Sequence, residues 1–182
     1  MSAPPEHLDT DRLRLHRLRR ADAALVFERW AQDPVVTRHL TFRPHTGIDE
    51  SVAHAERCER AWEAGESFTW IIEVRETGEA VGSIAAHPSG HRVALGYLLV
   101  RAAWGRGYMT EAVRAVADWF LAQPGIARVW AVCDVENTPS ARVLERSGFT
   151  REGTLRRWLV HPNVSDAPRD VLCYARVIEG AA

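Results

Sequence analysis

Residues 95–112 of this chain read LGYLLVRAAWGRGYMTEA, and this stretch decides the fold. Its apolar first part belongs to a predicted strand, and a turn spaced by Gly105 and Gly107 follows. Apolar residues then recur at intervals of three and four, the spacing of a helix that packs on a core. They are Met109, Ala112, Val113, Val116 and Phe120. The stretch therefore predicts a strand, a glycine turn and a helix in direct succession.

The glycine turn is suited to binding an anion. The first N–H groups of a helix have no partner inside the helix, and the helix dipole adds partial positive charge beside them. Glycine accepts positive φ angles and lets a phosphate approach the backbone, while Arg106 offers a charge-assisted hydrogen bond. The alternative is a tight turn chosen for its geometry alone. A dinucleotide-binding turn is disfavoured, because the third glycine of that motif is missing.

A second motif follows the next predicted strand. Residues 134–149 read DVENTPSARVLERSGF. Thr138 is expected to cap a helix in which Pro139 takes the first position. The motif therefore places Asn137 and Ser140 at the start of a helix.

The remaining pattern completes a mixed α/β domain. Alternating or continuous apolar runs predict strands, and three-and-four spacing predicts helices. The predicted strands are Arg12–His16, Phe68–Arg75, Ala80–Ala86, Arg92–Val100, Arg128–Cys133, a strand that begins at Phe149, and Asp170–Ile178. Two further helices are predicted, from Asp22 to before Pro34 and from Asp49 to about Ala64. Short turns join the second to fourth strands as antiparallel neighbours. We expect one domain over residues 1–182, with residues 1–9 as a flexible lead-in.

Composition excludes several classes of function. All 23 basic residues are arginine, which rules out a lysine Schiff base, a lysine general base and a P-loop. The net charge of -1 provides no overall field for nucleic acid or an anionic membrane, so an anionic ligand must be held locally. The three cysteines are too widely spaced for a zinc site or a disulfide framework. No signal or membrane-spanning pattern is seen, and we expect a cytoplasmic protein.

Together the two motifs resemble the GNAT acetyltransferases, in the branch of the ribosomal-protein N-terminal acetyltransferases. The resemblance covers nearly the whole chain. It is carried by Thr10–Leu15, Ala80–Ile84, Leu95–Tyr97, Trp104–Ala112, Asn137–Leu144, Ser147–Phe149 and Arg151–Gly153. One position departs from it, because Ala102 stands where many relatives have Gln or Arg.

The resemblance implies a GNAT fold: a mixed, mostly antiparallel sheet of about seven strands, flanked by about four helices and splayed between its fourth and fifth strands. It implies acetyl-CoA as co-substrate and no metal. The pyrophosphate would be held by Gly105, Arg106, Gly107, Tyr108, Met109 and Thr110, and the pantetheine arm by Leu98, Leu99, Val100 and Asn137, with Ser140 beside them.

Acetyl transfer to an amine needs a stabilised oxyanion, a proton for the thiolate and a neutral amine. An amide of Leu99 or Val100 is the candidate oxyanion donor. Ser140 stands where relatives place the acid, although it is also explained as a polar first-turn residue. His161 is the candidate base, because the strand before it has no carboxylate. A solvated His161, a water chain or an amine that arrives neutral are the alternatives.

We therefore expect an N-acetyltransferase that transfers acetyl directly to a primary amine, either a protein N-terminal α-amine or a small-molecule amine. The alternative is a non-catalytic acyl-CoA sensor or interaction module on the same fold. The acceptor side should come from residues 33–48, the second helix and residues 161–169. We expect no nucleic-acid or membrane partner, and a homodimer is compatible with the sequence.

Overall fold

The computed structural model describes residues 3–178 and contains one sheet of eight strands in the order β1-β2-β3-β4-β5-β6-β8-β7. The strands are β1 (His7–Asp9), β2 (Leu13–Arg17), β3 (Phe68–Val74), β4 (Glu79–Ser89), β5 (Arg92–Leu99), β6 (Arg128–Asp134), β7 (Thr150–Leu159) and β8 (Arg169–Val177). The helices are α1 (Ala23–Val26), α2 (Ile48–Glu63), α3 (Tyr108–Leu121) and α4 (Thr138–Arg146). The mixed sheet and four helices confirm the predicted fold class, with one strand more than predicted.

The additional strand corrects the prediction of a flexible lead-in for residues 3–9, whereas residues 1 and 2 lie outside the described residues. β1 pairs with β2 in antiparallel register, with Leu8 opposite Leu15. The indole N–H of Trp70 also donates to the carbonyl of Pro5 (3.1 Å). The segment is held by these tertiary contacts, and three residues are too few to show an alternating pattern in the sequence.

The first predicted helix is a composite of three short pieces. A 3-10 turn at Arg20–Asp22 leads into α1, and a π-helical turn at Phe27–Ala31 follows. Trp30 and Ala31, neighbours at the end of this segment, are both buried. The helical segment ends before Pro34, as predicted.

The sheet splits between β5 and β6. These parallel strands pair only from Arg92 to Ala94 on β5 and from Arg128 to Trp130 on β6. Beyond those residues β5 keeps only β4 as a partner and β6 keeps only β8. This confirms the predicted splay, and it leaves the last part of each strand with a main-chain edge that faces a gap.

Helix α3 is fixed against the sheet by an apolar face. Ala112, Val113, Val116 and Phe120 are fully or almost fully buried. The ring of Phe120 lies 6.3 Å from that of Phe68 on β3, centroid to centroid. Burying a side chain of this kind stabilises a fold by about 1.5–3 kcal/mol. The packing therefore holds the start of α3 at the mouth of the gap.

Gly82 on β4 allows β5 to approach closely beside the open part of the gap, opposite Leu99. A Cβ atom at this position would overlap the carbonyl oxygen of Leu98 and would lie 2.7 Å from a side-chain carbon of Leu99. Glycine is therefore required by the neighbouring strand, whereas Gly96 on β5 has no atom within 4 Å of its Cβ position.

These two glycines give a matched prediction for stability. We expect Gly82→Ala to lower the free energy of unfolding by about 1–3 kcal/mol, because the new methyl forces β4 and β5 apart. Gly96→Ala should be neutral or slightly stabilising, since alanine restricts the unfolded chain. Urea unfolding of both variants measures the difference. Equal stabilities would contradict the close approach at Gly82.

Candidate active site

A cavity of about 600 Å³ occupies the gap between β5 and β6. Four segments contribute to its lining: the end of β5, residues 103–110 across the bend and the start of α3, residues 136–146 before and along α4, and residues 35–40. The predicted site residues among the lining are Leu98, Leu99, Gly105, Gly107, Tyr108, Met109, Thr110, Asn137 and Ser140. Val100, Arg106 and His161 are not part of it. The structure thus brings most, but not all, of the predicted residues to one cavity.

The glycine bend, residues 104–107, presents free N–H groups at one end of the cavity. Gly105 and Gly107 have φ angles of 75° and 78°, which side chains rarely adopt. Gly107 precedes the first residue of α3, and no side chain caps this helix start. Within residues 3–178, no backbone N–H from Gly105 to Thr110 donates to a protein acceptor. The bend therefore has the geometry of an anion site.

The link between β1 and β2 holds the glycine bend in place. Glu111 on α3 accepts hydrogen bonds from Thr10 Oγ1 (2.6 Å), from the N–H of Arg12 (2.9 Å) and from Arg12 Nε (2.7 Å). Arg12 Nη1 in turn donates to the carbonyl of Arg106 (3.0 Å), and its guanidinium lies over the Tyr108 ring. Burial opposes the ionisation of Glu111, but these hydrogen bonds outweigh it and lower its pKa.

The main chain at the end of β5 offers one of the two predicted oxyanion donors. Val100 donates its N–H to the carbonyl of Val81 (2.8 Å), so this amide is already engaged. In an antiparallel ladder the adjacent residue turns its N–H and C=O to the opposite edge. Leu99 therefore presents its main chain to the gap, where Trp104 Nε1 donates to its carbonyl (2.9 Å). The amide of Leu99 remains as the donor.

Ser140 is hydrogen-bonded to a residue that the sequence analysis did not assign to the site. The hydroxyls of Ser140 and Tyr97 are 2.9 Å apart. Burial raises the pKa of Tyr97 well above its ordinary value, so this phenol stays protonated and able to donate. The sequence gives one indication that Tyr97 belongs to the site. It lies two residues before Leu99 on the same strand, so the main-chain groups of both residues point to the same edge of β5.

The start of α4 differs by one residue from the prediction. Asn137, and not Thr138, is the N-cap, because its Oδ1 accepts the N–H of Ser140 (3.3 Å). This bond uses the Oδ1 of Asn137 and leaves its Nδ2 group for another partner. Asn137 and Ser140 are thereby fixed relative to each other at the cavity wall.

Two of the three segments expected on the acceptor side meet in the structure. Asn163 Nδ2 donates to the carbonyls of Thr37 and Phe42 (2.8 Å each), which joins the loop before α2 to the loop before β8. Arg43 and Asp166 add an exposed ion pair between them. Of the three segments, only residues 33–48 contribute to the cavity lining, through residues 35–40, whereas neither α2 nor residues 161–169 do.

His161 lies behind the cavity wall and is 3% exposed, which excludes the solvated alternative. Its Nε2 is 3.8 Å from Asp134 Oδ2, and Arg169 Nε donates to the same carboxylate oxygen (2.6 Å). His39 lines the cavity instead. Sequence reasoning missed His39, because it lies in a loop without motif or periodicity.

Neither a metal centre nor a membrane helix is found in the part of the chain that the structure describes. Within residues 3–178, no three His, Cys, Asp or Glu side chains are grouped to hold a metal ion. None of the helices described there is long and apolar enough to cross a membrane.

Comparisons with known proteins agree with this geometry. Residues 12–150 match the family profile described as acetyltransferase (GNAT) domain. A Bacillus licheniformis protein named uncharacterized N-acetyltransferase p20 is 30% identical over 154 residues, which are 83% of this chain and 86% of that protein.

Solved structures show the same fold. The microcin C7 self-immunity acetyltransferase MccE, in complex with acetyl-CoA and AMP, superposes with a TM-score of 0.84 at 22% identity, over 97% of this chain and 99% of that one. The ribosomal L7/L12 α-N-protein acetyltransferase RimL, in complex with coenzyme A, has a TM-score of 0.83 at 21% identity, over 96% and 99%.

The ionised Glu111 gives a prediction for pH dependence. Because its pKa is lowered on folding, its contribution to stability is present above the ordinary Glu pKa of about 4.3 and is lost as the pH falls through the lower, folded value. We expect Glu111→Gln to reduce the free energy of unfolding by about 1–2 kcal/mol at neutral pH and by much less in acid. Urea unfolding across this range measures it.

Glu76→Gln is the matched control, because Glu76 is exposed in the turn between β3 and β4. Its stability should follow the wild type at every pH. A Glu111→Gln variant with wild-type stability at neutral pH would show that the contacts of Arg12 and Thr10 do not brace the bend.

Proposed function

The chain belongs to the GNAT acetyltransferase family and is an acetyl-CoA-dependent N-acetyltransferase. From this premise, we propose that it transfers acetyl directly to a primary amine, and that the acceptor is a protein N-terminal α-amine. The observation that carries the proposal is the gap between β5 and β6, with unpaired N–H groups at its mouth and the Ser140 and Tyr97 hydroxyls in its wall.

The cavity can hold the anionic end of acetyl-CoA. The N–H groups from Gly105 to Thr110 would bind the pyrophosphate through the positive end of α3. Arg38, Arg142 and Arg146 also line the cavity, against one carboxylate, Glu136. Since the whole chain has a net charge of -1, this cationic excess is local.

The other end of the cavity has the groups that the transfer requires. The N–H of Leu99 would donate to the oxyanion as the amine attacks the thioester carbon, an interaction that typically contributes ~2.7–4 kcal/mol. The Ser140 hydroxyl would donate to the departing thiolate, and the Tyr97 hydroxyl would donate to Ser140. Carbon–nitrogen bond formation and carbon–sulfur bond cleavage then need no covalent enzyme intermediate.

The paired hydroxyls favour an enzyme over a non-catalytic acyl-CoA sensor. A sensor needs the bend and the gap to bind its ligand. It does not need a partly buried phenol, held protonated, 2.9 Å from the serine hydroxyl in the cavity wall.

The small number of carboxylates in the cavity lining supports an α-amine, and not a lysine amine, as the acceptor. Among residues 3–178, Glu136 is the only acidic residue of the lining, so this part of the chain provides no group of acidic residues to draw protons from a strongly basic amine. An α-amine, with a pKa of about 7.7–8.0, is roughly one-tenth neutral at pH 7, whereas a lysine amine, with a pKa of about 10.4, is almost entirely protonated. The relative RimL is named as an α-N-protein acetyltransferase, in agreement with this preference.

Peptides with matched amines test the acceptor. We expect release of CoA thiol, and a mass gain of one acetyl group, with lysine-free peptides that begin with Ser or Ala. The same peptides with a blocked N-terminus and one internal lysine should react at least ~10-fold more slowly, because fewer of their amines are neutral. Reaction with the blocked peptides alone, or with small amines alone, would overturn the α-amine assignment.

A further inference from the structure

Three buried ring nitrogens lie together behind the cavity wall and have no hydrogen-bond partner within residues 3–178. They are Nδ1 of His39 and both nitrogens of His161. The two rings meet edge to face, with centroids 6.2 Å apart. An unpaired buried polar atom costs about 1–3 kcal/mol. A purely structural pair of aromatic side chains would avoid this cost, which suggests that the imidazoles have a chemical task.

The two histidines are held in place from both sides. The loop that carries His39 is fixed by the two hydrogen bonds from Asn163, to the carbonyls of Thr37 and Phe42. The carbonyl of His161 accepts the N–H groups of Val164 and Ser165 (2.8 and 2.9 Å), which closes a turn beneath it.

His39 is the member of the pair that reaches the cavity. It is half-buried and lines the cavity together with Leu99 and Ser140, whereas His161 is almost fully buried behind it. Because Nδ1 of His39 is buried, Nε2 is the ring nitrogen left for a ligand. The carboxylate of Asp134, fully buried at the end of β6, has its Oδ2 3.8 Å from Nε2 of His161.

Burial, more than the charges around it, favours the neutral form of His39 and lowers its pKa. Burial lowers its pKa most, and Arg38 on its own loop, His161 and Arg169 on β8 act in the same direction, while Asp134 opposes them. A neutral imidazole can accept a proton, and the carboxylate of Asp134 then offsets the positive charge that the ring acquires.

Building on the proposed function, we propose that His39 is the general base that removes the proton from the acceptor ammonium, and that His161 and Asp134 are positioning residues that orient its ring and offset its charge. This moves the base from His161, where the sequence placed it, to the neighbouring histidine that reaches the cavity.

In the proposed reaction, the acceptor ammonium loses one proton to His39 and a second proton to the departing thiolate. An N–H bond of the ammonium breaks and an N–H bond forms at Nε2 of His39, which leaves a lone pair on the amine. The lone pair forms the carbon–nitrogen bond to the thioester carbon, and the carbon–sulfur bond then breaks. The second amine proton goes to the thiolate by way of the Ser140 hydroxyl, and His39 returns its proton to solvent.

Two small amines of similar shape test this assignment beside a peptide with a free N-terminal serine. Ethylamine is protonated at neutral pH and needs a base, whereas 2,2,2-trifluoroethylamine is largely neutral and needs none. We expect His39→Gln to lower kcat/KM at least ~100-fold with ethylamine and the peptide. The rate with trifluoroethylamine and the affinity for coenzyme A should stay near wild type.

The pH profile separates a base from a structural residue. In the wild type, kcat/KM for ethylamine should fall in acid with an apparent pKa below the ordinary histidine value of about 6.5. In His39→Gln this acid limb of the profile, the fall of kcat/KM at low pH, should disappear. The value of kcat/KM should then increase with pH only as more of the amine becomes neutral near its own pKa. Added imidazole should restore part of the activity of His39→Ala. In Asp134→Asn the limb should move to lower pH.

His91→Gln, at the exposed turn between β4 and β5, is the matched control and should behave as wild type. If the wild type does not acetylate the peptide, the proposed function fails. If it acetylates the peptide and His39→Gln keeps its rate with the peptide or with ethylamine, the base assignment alone fails. An unmoved limb in a folded Asp134→Asn would remove Asp134 from the proposal.

Discussion

The structure depends on backbone N–H groups that the fold leaves without partners. β5 and β6 separate after three paired residues, and each is stabilised only by its outer neighbour beyond that point. Unpaired main-chain groups are costly unless something binds them. The rest of the architecture keeps this gap open and aligned: Gly82 lets β4 support β5 closely, and Glu111 ties the glycine bend to Arg12.

The parts of the site that could be predicted are those encoded locally. A glycine turn before an amphipathic helix, and an asparagine before a short helix, are recognisable within a few residues, and the glycine bend, Asn137 and Ser140 all line the cavity. The errors concern non-local contacts. β1 exists because of its pairing with β2, and the amide of Val100 is engaged by Val81 on another strand. No local pattern distinguishes His39 from other loop residues, because Asn163 in a distant loop positions it.

Electrostatics in this protein is local throughout. A chain with a net charge of -1 lines its cavity with three arginines and one glutamate. His39 and Tyr97 also line this cavity. Burial is the main reason that the pKa of His39 is lowered, which favours the neutral imidazole, and that the pKa of Tyr97 is raised, which favours the protonated phenol. The anionic end of a cofactor and an amine that must lose a proton make opposite demands on the charge of this one cavity.

The most direct measurement is a crystal structure of the chain with coenzyme A bound. We predict that the diphosphate oxygens accept hydrogen bonds from the N–H groups between Gly105 and Thr110, and that the thiol-bearing arm lies in the gap along Leu99. A complex in which the diphosphate lies away from the glycine bend, or in which the arm runs outside the gap between β5 and β6, would contradict this.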